Sequence, residues 1–289
     1  MNNLILRTTC GFGNQLFYIF NALSIGFDNN LELVIDLIKL DKTRPLFTKY
    51  SIFDNPKLIT KEYEHKIWVK MKNILIKQHS YIYEQINLKK YKFKNDYNYL
   101  IDGNKSGFFQ SYKFFWHNKE RIKEYINLPN PRFNSMRERI NSLNRKTIGI
   151  HIRLTDYVKN KNYFYNYPIS YYQNILSKYN LSEYTVILFS DDVEKAKSMF
   201  NFIPDHNMIL ANDFSSDDED QFYLLMLTNI RICANSTYSL WTCYLNEMYQ
   251  FVPDPIYWFG SKWFDRSGPK YNIGDLIPQD NPKFNIYNL

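Results

Sequence analysis

Four short apolar runs, each followed by a helical segment, constrain the fold of this chain more than any other feature. The runs are Thr147–Ile152, Tyr184–Ser190, Met208–Leu210 and Ile230–Ala234. Apolar and β-branched runs of this length are typical of buried parallel strands, and the segments between them are long enough for helical crossovers. This alternation predicts a parallel, doubly wound α/β sheet in the C-terminal half.

The N-terminal half carries a second α/β pattern. Leu4–Thr8 predicts a strand, and apolar residues at helical spacing predict a helix over Leu16–Phe27, followed by a strand at Leu31–Asp36. Residues 40–100 are polar and aromatic with weak periodicity, so no element is assigned there. The N-terminal half is therefore also predicted to be an α/β unit.

A cluster of chain breakers separates the halves. Asn127–Pro131 contains two prolines and opens the junction region Asn127–Arg145. We therefore predict an N-terminal α/β domain over 1–130 and a C-terminal Rossmann-like domain over 131–289. The proline-rich tail from Phe251 onward is expected to wrap back over the second domain.

Size and charge narrow the class of protein. At 289 residues with 45% hydrophobic residues, the chain can form two modest domains with cores. Its net charge of +7 favours anionic partners, but the scattered Lys and Arg form no basic block, which argues against nucleic acid. Three cysteines without metal-ligand spacing favour a reducing compartment. Without a signal peptide or a membrane-spanning run, we expect a cytoplasmic protein whose basic surface is compatible with peripheral contact at the inner membrane face.

Polar side chains follow each of the four C-terminal strands, and the carboxyl ends of adjacent parallel strands meet at one edge of a sheet. In strand order they are His151, Arg153 and Asp156; Ser190, Asp191 and Asp192; Ala211–Asp213; and Asn235, Ser236, Thr237 and Ser239. An arginine can bridge phosphate oxygens, and the start of a helix can hold the same phosphates. A carboxylate can accept from the paired donors of guanine. The pattern predicts a site for a nucleoside diphosphate, with guanosine allowed.

A glycine loop, Thr9–Gln15, lies between the first strand and the first helix. Strand, glycine loop and helix together present backbone N–H groups to a phosphate or a hydroxyl-rich ligand. Gly11 and Gly13 fit either a tight turn or a close approach of a ligand to the backbone. No Gly-Lys-Ser/Thr follows, so the loop is not a Walker motif.

Simpler explanations of the same residues remain open. Asp191 and Asp192 are suited to capping a helix, and so is Asn235–Thr237. A capping box between Ser216 and Glu219 explains the acidic run that follows better than a metal site does. The sequence contains no histidine cluster typical of zinc and no recognisable Ser/His/Asp or Cys/His arrangement.

Taken together, the motifs resemble the bacterial α-1,2-fucosyltransferases of glycosyltransferase family 11. The blocks that carry the resemblance are Gly11–Phe17, His151–Val158, Phe189–Asp192, Ala234–Trp241 and Tyr257–Phe259. The resemblance implies a GT-B-like fold, with two Rossmann-type α/β domains facing across a cleft and the acceptor on the N-terminal side. It implies GDP-β-L-fucose as donor and inverting transfer to the 2-hydroxyl of a galactose. It also implies no cofactor and no divalent metal, and a galactose-terminated oligosaccharide or lipid-linked glycan as acceptor.

The resemblance further implies roles for single residues. Arg153 would hold the phosphates, His151 would lie beside the nucleotide, and Asp191 or Asp192 would recognise guanine. The other donor contacts would come from Ser190, Asn235, Ser236, Thr237 and Ser239, and from the glycine-loop residues Gly11, Gly13 and Gln15. Asn14, in the same loop, would act as a catalytic residue that approaches the fucose and pyrophosphate from the other domain. Asp156 is the candidate general base, or else it holds its loop by hydrogen bonding.

One position departs from the family pattern. Related motifs often read His-x-Arg-Arg-x-Asp, and here the second arginine is replaced by Leu154. If that arginine contacts phosphate, another cation must supply its charge. Arg7 and Arg231 are candidates from strand regions, and both are equally suited to a structural role.

Overall fold

The computed structural model describes residues 3–38, 42, 45, 47–62, 71–73, 98–102, 110–246, 249–253, 276–278 and 281–287. The chain divides into two compact units. The first unit comprises Met1–Asn130 with the short segment Asp275–Ile277, and the second comprises Pro131–Gly274 with Pro278–Leu289. The segment Asp275–Ile277 therefore belongs to the first unit, which differs from the predicted assignment of the whole tail to the C-terminal domain.

A five-stranded parallel sheet with the order β3-β2-β1-β5-β4 forms the first unit. Its strands are β1 Asn3–Arg7, β2 Glu32–Asp36, β3 Ile59–Lys61, β4 Met71–Asn73 and β5 Asn98–Asp102. Its helices are α1 Phe12–Asn29 and α2 Lys119–Lys123. β1 lies in the middle of this sheet, so the loop that follows it opens at the carboxyl edge.

Helix α1 confirms the predicted helix and begins four residues before the predicted start. Its residues from Gln15 to Gly26 are buried without interruption, so the helix is covered nearly all round. It ends at Asn30, which adopts a left-handed conformation with φ of 52° and donates its N–H to the Gly26 carbonyl. Asparagine tolerates this conformation better than most residues, which explains the helix end.

A six-stranded parallel sheet with the order β11-β10-β9-β6-β7-β8 forms the second unit. Its strands are β6 Lys146–Ile152, β7 Tyr184–Ser190, β8 Met208–Leu210, β9 Ile230–Ile232, β10 Tyr249–Pro253 and β11 Phe284–Tyr287. Its helices are α3 Pro131–Asn141, α4 Asp156–Lys159, α5 Ile169–Leu176, α6 Val193–Met199, α7 Ala211–Phe214, α8 Asp218–Leu227 and α9 Thr237–Leu245. The four strands predicted for this half are confirmed as β6 to β9.

The central strand β6 is buried on both faces, as expected of a parallel strand covered by helices. Gly149 lies under the end of α8. A Cβ at this position would come within 2.9 Å of Leu225 and Thr228 side-chain atoms, so glycine is required for the close approach of α8 to the sheet. The strand therefore delivers His151 and Arg153 from a closely packed core.

The start of α8 differs from the prediction. Asp217 is its N-cap and accepts from the N–H groups of Glu219 and Asp220. The predicted capping box between Ser216 and Glu219 is therefore wrong. Aspartate is as good a cap as serine, and the run of acidic residues offered several candidates that the sequence could not rank.

The C-terminal part of the sheet also differs from the prediction. α9 begins at Thr237, because Ser236 caps it, as the capping explanation of Asn235–Thr237 allows. The tail does more than wrap over the domain, since β10 and β11 extend the sheet at one edge. The block Tyr257–Phe259 lies outside the described residues.

Two parallel-sheet α/β units confirm the predicted GT-B-like fold class. In the part of the chain that the structure describes, no helix combines the length and the apolar character needed to cross a membrane.

Candidate functional site

The loops after β6, β7 and β9 meet at one edge of the second sheet. β6 pairs with both β7 and β9, and all three strands are parallel. β8 lies beyond β7, so Ala211–Asp213, which follow it, are one strand further from the β6 loop. These residues form the short helix α7, in which Asp213 accepts from the Leu210 N–H. Three of the four predicted loops are thus adjacent.

Arg153 lies in the loop after β6 with its guanidinium between two carboxylates. Its Nη2 donates to Asp156 Oδ1 at 2.7 Å, and its Nη1 lies 3.4 Å from Asp191 Oδ2. Its Nε is buried and has no hydrogen-bond partner among the described residues. Since 28% of the side chain is exposed, a ligand can reach the guanidinium. An incoming phosphate would compete with the exposed carboxylate, Asp156, for the same N–H groups.

Asp191 fixes the backbone of this loop. Its carboxylate accepts from the Leu154 N–H at 2.7 Å, from the Thr155 N–H at 3.4 Å and from the Thr155 hydroxyl. Burial opposes ionisation, but the Thr155 hydrogen bond and the Arg153 charge outweigh it and keep the pKa of Asp191 below its ordinary value. Protein donors already use both oxygens, so the structure offers no support for Asp191 as the guanine contact.

Asp192 and Ser190 shape the start of α6. Asp192 caps the helix, with Oδ1 accepting from the Lys195 N–H at 3.2 Å, which confirms the capping alternative. Ser190 accepts from the Asp192 N–H and donates to the Asp192 carbonyl, so its hydroxyl closes a turn. Of the two predicted guanine contacts, Asp192 is the one whose carboxylate keeps an oxygen that is not used in this cap.

His151 is a neutral group inside the site. Its side chain is 5% exposed, and its ring centroid lies 5.4 Å from that of Tyr238. Burial, together with the positive charge of Arg153, lowers the pKa of His151 from its ordinary value of 6.5 to about 3. Nδ1 is buried without a hydrogen-bond partner among the described residues. His151 can therefore offer a hydrogen bond to a ligand but no positive charge near neutral pH.

The loop after β9 ends in the start of α9. Ser236 caps this helix through a 3.3 Å bond from the Tyr238 N–H, and the half-buried Thr237 is its first residue. Backbone N–H groups at the first turn of a helix are suited to phosphate oxygens. Thr237 and the cap residue Ser236 are thus the parts of this loop best placed for the predicted phosphate contact.

Two predicted contacts in the same loop are buried and bonded to the protein. Ser239 is fully buried, and its hydroxyl bonds to the carbonyls of Ala234 and Ser236. Asn235 is 2% exposed and donates to the Tyr165 carbonyl. Both side chains hold the loop in place, and their contact with a ligand stays a prediction. Both are polar residues beside a helix start, which in sequence alone cannot be told from ligand contacts.

The glycine loop of the first unit forms the start of α1. Gly11 precedes the helix with φ of −75°, and Gly13 lies buried in the first turn. The left-handed residue of the turn is Cys10, with φ of 67°. A Cβ on Gly11 would meet no atom of the described residues within 4 Å, so neither their packing nor the backbone conformation requires glycine there. This observation favours close approach of a ligand over the tight-turn explanation.

The two amides of the glycine loop are both tied to the protein. Gln15 donates to the carbonyls of Cys10 and Pro45, at 3.0 and 2.9 Å, and so fixes the loop. Asn14 accepts from Gln110 at 2.8 Å. Gln15 is 2% exposed, and its amide nitrogen holds the loop, whereas its Oε1 has no hydrogen-bond partner among the described residues. Its contact with a ligand stays a prediction. Asn14 is half-buried and stays the candidate contact of this loop.

Neither arginine considered as a replacement for the missing one at Leu154 is available. Arg7 is 2% exposed and forms a 2.6 Å ion pair with Asp36. Arg231 is fully buried and donates to the carbonyls of Thr242 and Asn246. Both are structural. Leu154 itself is buried in the core of the second unit.

The acidic run before α8 is bound by an arginine. Arg132 Nη1 donates to Glu219 and Nε donates to Asp220, each at 2.8 Å, and Nη2 donates to Asp217. These contacts join α3 to α8. Within the described ranges, no set of three or more His, Cys, Asp or Glu side chains is arranged to hold a metal ion.

Sequence reasoning missed two residues that support Arg153. Thr155 donates its hydroxyl to Asp191, and the ring of Tyr157 lies 5.4 Å from the Arg153 guanidinium carbon. Both belong to the block that carries the family resemblance. The Thr155 contact arises only when the β7 loop is brought beside the β6 loop, so no spacing in the sequence indicates it. The Tyr157 ring contact is local, since Arg153 and Tyr157 are four apart in the chain.

Comparison with known families gives a match over most of the chain. The model of glycosyl transferase family 11 matches residues 34–251. The chain is 22% identical to an alpha-1,2-colitosyltransferase of Escherichia coli, over 96% of this chain and 98% of the relative. It is 31% identical to the O-antigen biosynthesis glycosyltransferase WbnK of Escherichia coli, over 40% of each chain.

Solved structures show the same fold at low identity. The fucosyltransferase NodZ from Bradyrhizobium matches with a TM-score of 0.53 and 13% identity, over 85% of this chain and 94% of that chain. Heptosyltransferase II of Escherichia coli matches with a TM-score of 0.50 and 9% identity, over 100% of this chain and 91% of that chain. At these identities the likeness concerns the fold alone.

Proposed function

The chain belongs to glycosyltransferase family 11, and on that premise we propose that it transfers L-fucose from GDP-β-L-fucose to the 2-hydroxyl of a galactose in a glycan. The transfer inverts the anomeric configuration and needs no divalent metal. One observation carries the proposal: Arg153 and the start of α9 lie at neighbouring strand ends of a family 11 chain. Together they supply the cation and the N–H groups that a diphosphate needs.

Donor binding begins at Arg153. The diphosphate replaces Asp156 as the acceptor of the hydrogen bond from Arg153 Nη2. Its oxygens also accept from the N–H groups of the first turn of α9, beside Ser236 and Thr237. His151 contributes a hydrogen bond without adding charge. Asp192 accepts from the base through its remaining carboxylate oxygen. No second arginine follows Arg153, so this site holds the diphosphate with one guanidinium and one helix start.

The chemical step depends on the leaving group. In transfer with inversion the acceptor hydroxyl attacks C1 of fucose from the face opposite GDP. The C1–O bond to the diphosphate breaks, and the acceptor proton goes to a base. The transition state is oxocarbenium-like, so stabilising the departing diphosphate lowers the barrier most. Arg153 performs this stabilisation.

Asp156 has two alternative roles in this mechanism. It is either the base that receives the acceptor proton or the residue that holds Arg153 until the donor arrives. The 2.7 Å ion pair with Arg153 favours the second role, because a paired carboxylate has one oxygen committed to the guanidinium. The pH dependence of the Asp156→Asn variant, described in the Discussion, distinguishes the two.

The proposal is tested by an assay of the purified chain with GDP-fucose and a panel of galactose-terminated acceptors, with and without EDTA. We expect GDP release coupled to a fucosylated product, equal activity in EDTA, and an α-1,2 linkage by NMR. Activity that EDTA abolishes contradicts the metal-free mechanism. Binding of GDP without turnover on any acceptor would indicate a nucleotide- or glycan-binding module instead.

A second candidate uses a different GDP sugar. The similarity to an alpha-1,2-colitosyltransferase over 96% of this chain favours it. Colitose differs from fucose in lacking the 3-hydroxyl, and both sugars would be transferred from the same GDP leaving group. Comparing kcat/KM for GDP-fucose and GDP-colitose decides between them. The similarity to an O-antigen glycosyltransferase makes a lipid-linked O-antigen intermediate the first acceptor to try.

A further inference from the structure

Tyr157 lies at the centre of the candidate site, although it faces no open space itself. It is in the short helix α4, and its side chain is 9% exposed. Its ring stacks on Phe164 with centroids 4.3 Å apart and an angle of 6° between the planes. This stack fixes the plane of the tyrosine ring from one side.

The hydroxyl of Tyr157 joins α4 to the loop after β9. It donates to the Asn235 carbonyl at 2.9 Å and lies within hydrogen-bonding reach of the Ser236 side chain. Burial raises the pKa of Tyr157 well above its ordinary value, so the hydroxyl stays a donor at neutral pH. The residue thus holds the backbone immediately before the cap of α9.

The ring of Tyr157 also contacts Arg153. The guanidinium carbon lies 5.4 Å from the ring centroid, within the range of a cation–π contact. The two carboxylates Asp156 and Asp191 hold the edge of the same guanidinium. The tyrosine ring therefore restrains the guanidinium of Arg153 through a contact that the two carboxylates do not supply.

We propose that Tyr157 is a positioning residue that keeps Arg153 and the start of α9 at the separation needed to bind one diphosphate together. The inference rests on the proposed function, in which both groups contact the donor diphosphate. It adds that the two contacts are coupled through a single side chain. Loss of the hydroxyl releases the α9 start, and loss of the ring releases Arg153.

The test uses Tyr157→Phe, which keeps the ring and removes the hydroxyl. Tyr223→Phe is the matched control, because Tyr223 is also buried and its hydroxyl also donates a hydrogen bond, to Glu219 at 2.7 Å. Both variants should lose similar thermal stability. GDP affinity by calorimetry should fall about 5- to 10-fold in Tyr157→Phe, the range for one hydrogen bond, and stay unchanged in Tyr223→Phe.

A double-mutant cycle of Tyr157→Leu, which removes the ring that contacts Arg153, with Arg153→Lys separates positioning from simple destabilisation. If Tyr157 acts through Arg153, the two losses of GDP affinity are not additive. The double variant then loses less affinity than the product of the two single fold-losses. Additive losses, or unchanged GDP affinity in Tyr157→Phe, overturn the positioning role. Wild-type GDP affinity in both Arg153→Lys and Arg153→Ala overturns the proposed function instead, so the two failures are distinguishable.

Discussion

The Nη2 atom of Arg153 lies 2.7 Å from Oδ1 of Asp156, so the cation proposed to bind the donor is already paired within its own loop. Asp191, 3.4 Å from Nη1, adds a second negative charge. We therefore expect donor binding at this site to exchange one anion for another. The exposed partner is the one to leave, because Asp191 is also held by Leu154 and Thr155.

Removing the exposed partner should strengthen nucleotide binding. Asp156→Asn takes away the competing charge, and we expect GDP to bind about 5-fold more tightly by calorimetry, the scale of one partly exposed ion pair. Asp205→Asn, an exposed acid far along the chain, is the control for net charge. If Asp156 only holds Arg153, the pH profile of kcat in the variant keeps its acidic limb. A kcat that falls by about 100-fold and loses that limb would identify Asp156 as the base.

Asp191 should matter for stability at neutral pH and less in acid. Its pKa is lowered in the folded state, so its stabilising bonds are present above the unfolded pKa and are lost as pH falls through the folded pKa. Asp191→Asn should lower the free energy of unfolding by about 2 kcal/mol at neutral pH, as for hydrogen bonds to a charged group. In urea unfolding, the difference in the free energy of unfolding between the variant and the wild type should decrease below about pH 4. A gap that stays constant with pH would contradict this account.

The sequence predicted the second sheet well because its strands are buried on both faces and read as continuous apolar runs. β6 and β7 were bounded to within one residue for this reason. Strands β10 and β11 were missed, since they lie at the start and the end of the proline-rich tail. β3 and β4 were missed because they are only three residues long.

Ser236 and Ser239 should respond differently to the same substitution. Ser236→Ala removes the cap of α9 beside the proposed phosphate contact, so it should destabilise the protein by about 1 kcal/mol and also weaken GDP binding. Ser239→Ala removes a buried hydroxyl that bonds only within the loop, so it should affect stability more than GDP affinity. Equal losses of GDP affinity in the two variants would show that the loop responds as a whole.

His151 should make stability depend on pH in a specific window. Burial lowers its pKa to about 3, so the folded state excludes a proton that the unfolded state binds. The contribution of the neutral ring to the free energy of unfolding is fully present above the ordinary pKa of 6.5 and decreases as the pH falls toward about 3. Below pH 6.5 the free energy of unfolding, measured in urea, should depend less on pH in His151→Gln than in the wild type, by up to about 1.4 kcal/mol per pH unit. The exposed His206→Gln is the control, and a wild-type slope in His151→Gln refutes the assignment.

The candidate site was predictable as a set of residues but not as a set of roles. The motif placed His151, Arg153 and Asp156 at one strand end, and the structure brings Asp191 and Ser236 to the same edge. The division of these side chains into ligand contacts and loop supports depends on hydrogen bonds between loops far apart in the sequence. The carboxylate of Asp191 and the hydroxyl of Tyr157 make such bonds. Ser239 instead bonds within its own loop, and in the sequence alone it cannot be told from a ligand contact.

The most direct test of the central claim is kcat/KM for GDP-fucose in Arg153→Ala. The account predicts a loss of about 100- to 1,000-fold, the size typical of one preorganised donor at a developing charge. Arg145→Ala is the matched control, because Arg145 lies before β6 and bonds to Asn207 and the Ser182 carbonyl, so it should keep wild-type turnover. Near wild-type kcat/KM in Arg153→Ala would contradict the assignment of this arginine to the leaving diphosphate.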